Sequence, residues 1–277
     1  MNDERRWPDR RDLLGMIAAL TAGGTTRESF AQTPTEDLGP PLLGARACLL
    51  TPEAVQGPYY NDPKLVRCDI RENKTGVPIM LRLQIVDQAC RPIAGARVDV
   101  WHCDAVGLYS NYPGQGDDPA HPVSTIGESF LRGSQLADAA GVATFKSIYP
   151  GWYPGRTPHI HFKTFLNDAN ILTGQLFFPD ALSEFIYRDI RPYSERTAKR
   201  DTMNKDDFIA IGAGLGSFAS VTEEDQRYLV TLVIGVDPAA RSKASASRPP
   251  EGLRPPPSGA PPLRDPKRVS PLVPGID

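Results

Sequence analysis

The chain has 277 residues, 40% of them hydrophobic and 23% charged, with a formal net charge of −2. This composition fits a globular, soluble domain with extra segments, or at most two small domains. The balanced charge argues against a nucleic-acid binder, which needs a basic surplus to neutralise phosphates, and no run of about 18 to 20 apolar residues is present to span a membrane in the mature form.

Residues 1–31 read as an address rather than as part of a fold. Arg5-Arg6 and Arg10-Arg11 precede the apolar stretch Leu13 to Leu20, and Ser29-Phe30-Ala31 supplies a small-x-small cleavage pattern. The run Arg10-Arg11-Asp12-Leu13-Leu14 resembles a twin-arginine export signal. Export to the periplasm or beyond is the expectation; a short basic helix is the alternative. Residues 32–45, rich in Pro and Gly, read as a linker.

The segment 46–236 is the working domain, and its patterning is mostly β. Ile79 to Val86 alternates, with Leu81, Leu83 and Ile85 on one face and Arg82 and Gln84 on the other. Ala96 to Trp101 alternates again with Val98 and Val100 inward. Further strands are predicted over Val142 to Phe145, His159 to Leu166, Leu172 to Phe178 and Tyr228 to Val236. Short helices are predicted over Ala181 to Arg188 and Lys205 to Ile211. Short strands separated by Gly, Pro and Asp turns predict an all-β fold, an antiparallel β-sandwich with long active-site loops. From 237 to 277 there are eleven prolines and no aromatic residue. Such a tail cannot bury enough apolar surface to offset ordering and is expected to be disordered.

Cys48, Cys68, Cys90 and Cys103 are even in number, which suits an oxidising compartment. None forms a C-x-x-C pair, which argues against structural zinc. Three pairings are possible. A Cys90–Cys103 bridge would be difficult, since the two lie at opposite ends of one strand segment and a disulfide needs Cα atoms roughly 4.4–6.8 Å apart. Free buried thiols are the alternative.

Two of the four histidines form His159-Ile160-His161. In a strand, residues i and i+2 point to the same side, so both imidazoles face one pocket while Ile160 and Phe162 face the core. Paired imidazoles on one face are a common beginning of a metal site. Upstream, Tyr149 to Pro158 is too rich in Pro and Gly for regular structure and holds Tyr153 and Arg156 over the same pocket. A second loop, Asp104 to Tyr112, leaves the Val98–Trp101 strand and carries Tyr109. His102 reads as a hydrogen-bonded histidine near the pocket's edge, and His121, in a Pro-flanked loop, as solvated.

Together these segments resemble the intradiol ring-cleavage dioxygenases, the family of catechol 1,2- and protocatechuate 3,4-dioxygenases. The resemblance is carried by Gly57 to Tyr60, Val98 to Trp101 followed by Asp104, Gly107 and Tyr109, Tyr149 to Tyr153 followed by Arg156 and His159-Ile160-His161, and Gly174 to Phe178. It implies non-haem Fe(III) held by Tyr109, Tyr153, His159 and His161. Phenolates are hard anionic donors, so this set favours Fe(III) and differs from the two-His-one-carboxylate Fe(II) sites. The implied partners are a catechol-type small molecule and O2, both of whose atoms enter the ring to give a cis,cis-muconate-type diacid. By the same resemblance Tyr153 is displaced by substrate and accepts a proton, and Arg156 stabilises carbanion character on the ring. Gln175 fixes the hydrogen bond of a metal ligand, and Tyr59 and Tyr60 line the substrate mouth, with core packing an equal reading for both. The helical domain through which catechol 1,2-dioxygenases dimerise has no counterpart before Cys48, which leaves a homo-oligomer open. Two rival readings are a β-sandwich ligand-binding module without catalysis and a zinc or copper hydrolase built on His-x-His. The hydrolase lacks an obvious third His or carboxylate ligand.

Overall fold

Strands with one apolar face must hide that face from water. In the computed structural model, which describes residues 49–62 and 64–244, two four-stranded sheets do so against each other. Strands β1 (Pro78–Val86), β4 (Val142–Ile148), β7 (Ser220–Glu224) and β8 (Arg227–Gly235) form one sheet in the order β4-β1-β8-β7. Strands β2 (Arg97–Trp101), β3 (Arg132–Leu136), β5 (His159–Leu166) and β6 (Ala169–Phe177) form the other in the order β3-β2-β5-β6. Leu81, Leu83 and Ile85 from the first sheet share one buried cluster with Val98, Val100, Ile160 and Phe162 from the second. Helices α1 (Asp180–Asp189) and α2 (Phe208–Ala213) follow β6.

The all-β expectation holds, with corrections. The pairing is not wholly antiparallel, because β8 runs parallel to β1. A parallel neighbour needs a long connection, and here it is nearly the whole domain. Strands β3 and β7 escape a reading by alternation. β3 is mostly polar and Gly, and its one aliphatic, Leu136, is exposed; most of β7 is solvent-facing. α2 starts later than predicted because the Asp207 side chain accepts from the N–H groups of Ile209 and Ala210 and so caps the helix. The ordered domain also continues past residue 236. Ser242 N–H donates to the Asn170 carbonyl at 2.9 Å and Lys243 N–H to the Glu53 carboxylate at 2.9 Å, so residues 242–244 are held to the domain through their backbone N–H groups. The export signal expected in 1–31, the linker 32–45 and the tail beyond 244 lie outside the described residues. Cys90 is disulfide-bonded, whereas Cys68 and Cys103 are free thiols, exposed and buried respectively.

Strand register decides what the site receives. Trp101 pairs with both Arg132 and His161, and His161 pairs with Gln175. Directly paired residues point to the same side, so Arg132, Trp101, His161 and Gln175 form one row across all four strands of the second sheet. The neighbouring row, Gly133, Val100, Phe162 and Gly174, faces the core. Gly174 must lack a side chain, since a Cβ there would lie 2.2 Å from the Phe162 ring.

Candidate metal centre

The alternation of β5 turns His159 and His161 to the face away from the core, and their Nε2 atoms lie 3.1 Å apart. His159 Nδ1 is 2.6 Å from the Thr157 carbonyl. A carbonyl only accepts, so Nδ1 carries the proton and Nε2 offers a lone pair. His161 is oriented differently. Its ring lies flat on Trp101, with centroids 4.7 Å apart at 11°, and its buried Nδ1 meets no partner among the described residues.

Two loops bring phenols to these imidazoles. Tyr109 Oη is 3.5 Å and Tyr153 Oη 3.0 Å from His159 Nε2. The loops meet backbone to backbone through glycines. A Cβ on Gly107 would lie 2.3 Å from the Trp152 carbonyl, and one on Gly151 would lie 2.6 Å from the Asp104 and Ala105 carbonyls. Gly151 N–H donates to the Asp104 carbonyl, and the Asp104 carboxylate accepts from Val106 and Leu108 N–H, which fixes the turn leading to Tyr109. The Tyr109 peptide is then held on both sides by Gln115.

The electrostatics suit a cation. Burial, then Arg156, keeps His159 far below the usual histidine range; burial, His159 and Arg156 do the same for His161, so both rings are neutral. Burial pushes the Tyr153 phenol up to about 12 and raises Tyr109 well above its ordinary value. Neither phenol ionises at neutral pH unless a cation replaces its proton. Two imidazole lone pairs and two buried phenols, with mutual contacts of 3.0–3.5 Å, therefore fit a metal that favours mixed N and phenolate-O donors. Among the described residues no group of three or more His, Cys, Asp or Glu side chains converges.

The other predicted site residues fall around this set. Arg156 reaches it with Nη1, 3.4 Å from Tyr153 Oη and 3.5 Å from His159 Nε2. Gln175 is beside it, but its side chain does not serve a ligand as expected. It accepts from Arg156 Nη2 at 2.5 Å and donates to the Val55 carbonyl, because the row that aligns it with His161 also places it under the guanidinium. Tyr59 stacks on Tyr109, with centroids 4.3 Å apart at 12°, and edges against Tyr153. Tyr60 leans on Trp101 and donates its hydroxyl to Asp99, so its polar end is already engaged. His102 is buried and bonded to the Cys103 carbonyl and Ser147 Oγ; His121 is exposed beside Asp118. Sequence reasoning missed Arg132, whose buried guanidinium donates to the Tyr59 carbonyl and to Ser110, next to Tyr109. It also missed Asp207, which accepts from Arg156 Nε at 2.8 Å. The signal for Asp207 was its suitability as an N-cap just before Phe208-Ile209.

Residues 52–205 match the family model described as Dioxygenase. An intradiol ring-cleavage dioxygenase of known structure from Tetranychus urticae is 30% identical, the match covering 72% of this chain and 100% of that one with a TM-score of 0.64. The dioxygenase domain of a dioxygenase–carbohydrate-binding fusion from Streptomyces sp. SirexAA-E is 25% identical, over 69% of this chain and 99% of that one, with a TM-score of 0.52. A protocatechuate 3,4-dioxygenase beta chain from Burkholderia cepacia is 32% identical over 126 residues, covering 40% of this chain. This chain spans about half of that relative's length, 51%.

Proposed function

This chain belongs to the intradiol ring-cleavage dioxygenase family, and from that premise we propose that it cleaves a catechol-type aromatic diol with O2. The products are cis,cis-muconate-type diacids, and the cofactor is a non-haem ferric ion held by Tyr109, Tyr153, His159 and His161. The observation that carries this reading is the convergence of two buried phenols on two buried, neutral imidazoles. Ferric iron, when bound, supplies a Lewis acid that keeps the tyrosines ionised and draws electron density from the substrate ring.

The rest is work for the chain's own side chains. Tyr153, held beside Arg156 and edge-on to Tyr59, accepts a proton at its Oη as the diol enters. Arg156 points Nη1 at the donor set and stabilises negative charge that develops on the ring; a fixed donor of this kind costs no reorganisation at the moment of reaction. Tyr59 covers Tyr109 and offers an aromatic wall to a flat substrate. The aromatic cluster of Trp101, Tyr109, Tyr59, Tyr60, Tyr112 and Tyr153 limits the access of water.

The test is a visible spectrum of ferric-loaded protein before and after anaerobic addition of catechol. A tyrosinate-to-iron charge-transfer band that shifts with catechol is expected. Tyr153→Phe should retain iron with an altered band and slower turnover. Protein that stays colourless after ferric loading would defeat the reading and favour a ligand-binding module. Export is part of the same proposal, supported by the twin-arginine pattern and by a disulfide at Cys90, which needs an oxidising compartment. N-terminal sequencing of protein from cells should find the chain cut after Ala31; an intact Met1 would exclude it.

A further inference from the structure

The Asp207 side chain is 0% exposed and each of its oxygens serves a different element. Oδ1 accepts from Ile209 N–H at 2.8 Å and Ala210 N–H at 3.2 Å, closing the N-terminus of α2. Oδ2 accepts from Arg156 Nε at 2.8 Å and from Thr157 N–H at 3.0 Å. The carbonyl of that same Thr157 receives the Nδ1 proton of His159. One carboxylate thus anchors a helix, the guanidinium, and the residue that sets the tautomer of a metal-binding histidine.

The guanidinium is consequently held on two sides. Asp207 takes Nε, Gln175 takes Nη2 at 2.5 Å, and only Nη1 is left to face Tyr153 and His159. Arginine's donors form a rigid planar fork, so fixing two of its edges fixes where the third points. We propose that Asp207 is a positioning residue, which aims Arg156 at the reacting ring. Its role in turnover rests on the dioxygenase reading; its hold on Arg156 does not.

Asparagine separates the functions of this carboxylate. It offers one acceptor oxygen and one NH2; asparagine is a strong N-cap, so the oxygen stays on α2 and the NH2, which cannot accept, is left facing Arg156 and Thr157. Serine retains a cap and offers Arg156 nothing comparable. In metal-free protein, the Arg156 Nε–H resonance of the native chain should stand apart from those of solvated arginines in a proton–nitrogen NMR spectrum. It should rejoin them in both Asp207→Asn and Asp207→Ser. After ferric loading, each variant should lose about 10- to 100-fold in kcat with iron retained and KM little changed, the size common for a group that orients a metal site from outside it. The double variant Asp207→Asn, Arg156→Ala should be no slower than Arg156→Ala alone, because the first change acts through the second residue.

An unmoved Arg156 resonance in Asp207→Ser overturns the proposal, as do losses that multiply in the double variant. If the native protein opens no catechol ring, the functional reading falls, yet the resonance still decides whether Asp207 holds Arg156.

Discussion

Along β5, Ile160 and Phe162 point between the sheets while His159, His161 and Lys163 point away from them, and all five side chains are buried. The two faces satisfy burial by different means. Phe162 is packed by apolar neighbours and by the bare backbone of Gly174, so its stabilisation comes from area removed from water and from close contact. The histidines sit beneath loops, at a cost in desolvation that their protein contacts offset only partly. His161 has no partner at Nδ1 among the described residues and shares its Nε2 with another acceptor-capable nitrogen. A core face is complete as soon as the chain folds, whereas on the proposed reading this outer face gains most when a cation joins it.

His161→Ala separates the two faces most directly. Iron content should fall to background and ring cleavage with it, while the metal-free protein stays folded; stoichiometric iron in the variant would remove His161 from the site. Phe162→Ala is the converse. It should cost about 3–5 kcal/mol in the unfolding free energy of metal-free protein through the cavity it leaves, yet what remains folded should still show the iron band. A loss below about 1 kcal/mol in urea melts would mean that the core face is not close-packed there.

A third, smaller effect uses His102, which bridges to Ser147 of β4 and is neutral without any metal. Burial depresses it to about 4 from the ordinary 6.5. Above pH 6.5 both folded and unfolded forms are neutral and its contribution is fully present. As pH falls from 6.5 towards 4, the unfolded chain takes up a proton that the folded one refuses, so stability is lost across that window. Between pH 6.5 and 5 the loss is about 1.5 kcal/mol, because the slope reaches about 1.4 kcal/mol per pH unit only once the unfolded histidine is fully protonated. Urea midpoints of native and His102→Gln protein at those two pH values should show a shallower decline in the variant; parallel declines would assign the acid sensitivity elsewhere.

Legibility in the sequence followed locality. β5 was readable to the residue because a two-residue period and four apolar partners lie within one short segment. β3 was not, since Arg132-Gly133-Ser134-Gln135 carries no alternation; it is a strand because β2 pairs with it. Arg132 was lost with it. Gln175 was placed near the metal, yet its actual partner, Arg156, depends on a register between β5 and β6 that composition does not encode. Asp207 lay inside a predicted helix, and only its position as the cap, 51 residues beyond Arg156, shows that its second oxygen is available to the site.

By itself the sequence determined which donors exist, and that His159 and His161 leave their strand on one side. Both follow from residue chemistry and a period of two. Tertiary structure decided that two phenols from separate loops meet those imidazoles, and that a distant carboxylate aims the arginine between them. The reason is physical. Side-chain direction along a strand is set by bonds between neighbours, whereas convergence depends on strand register and on glycine contacts between loops whose backbones approach only once both sheets have packed.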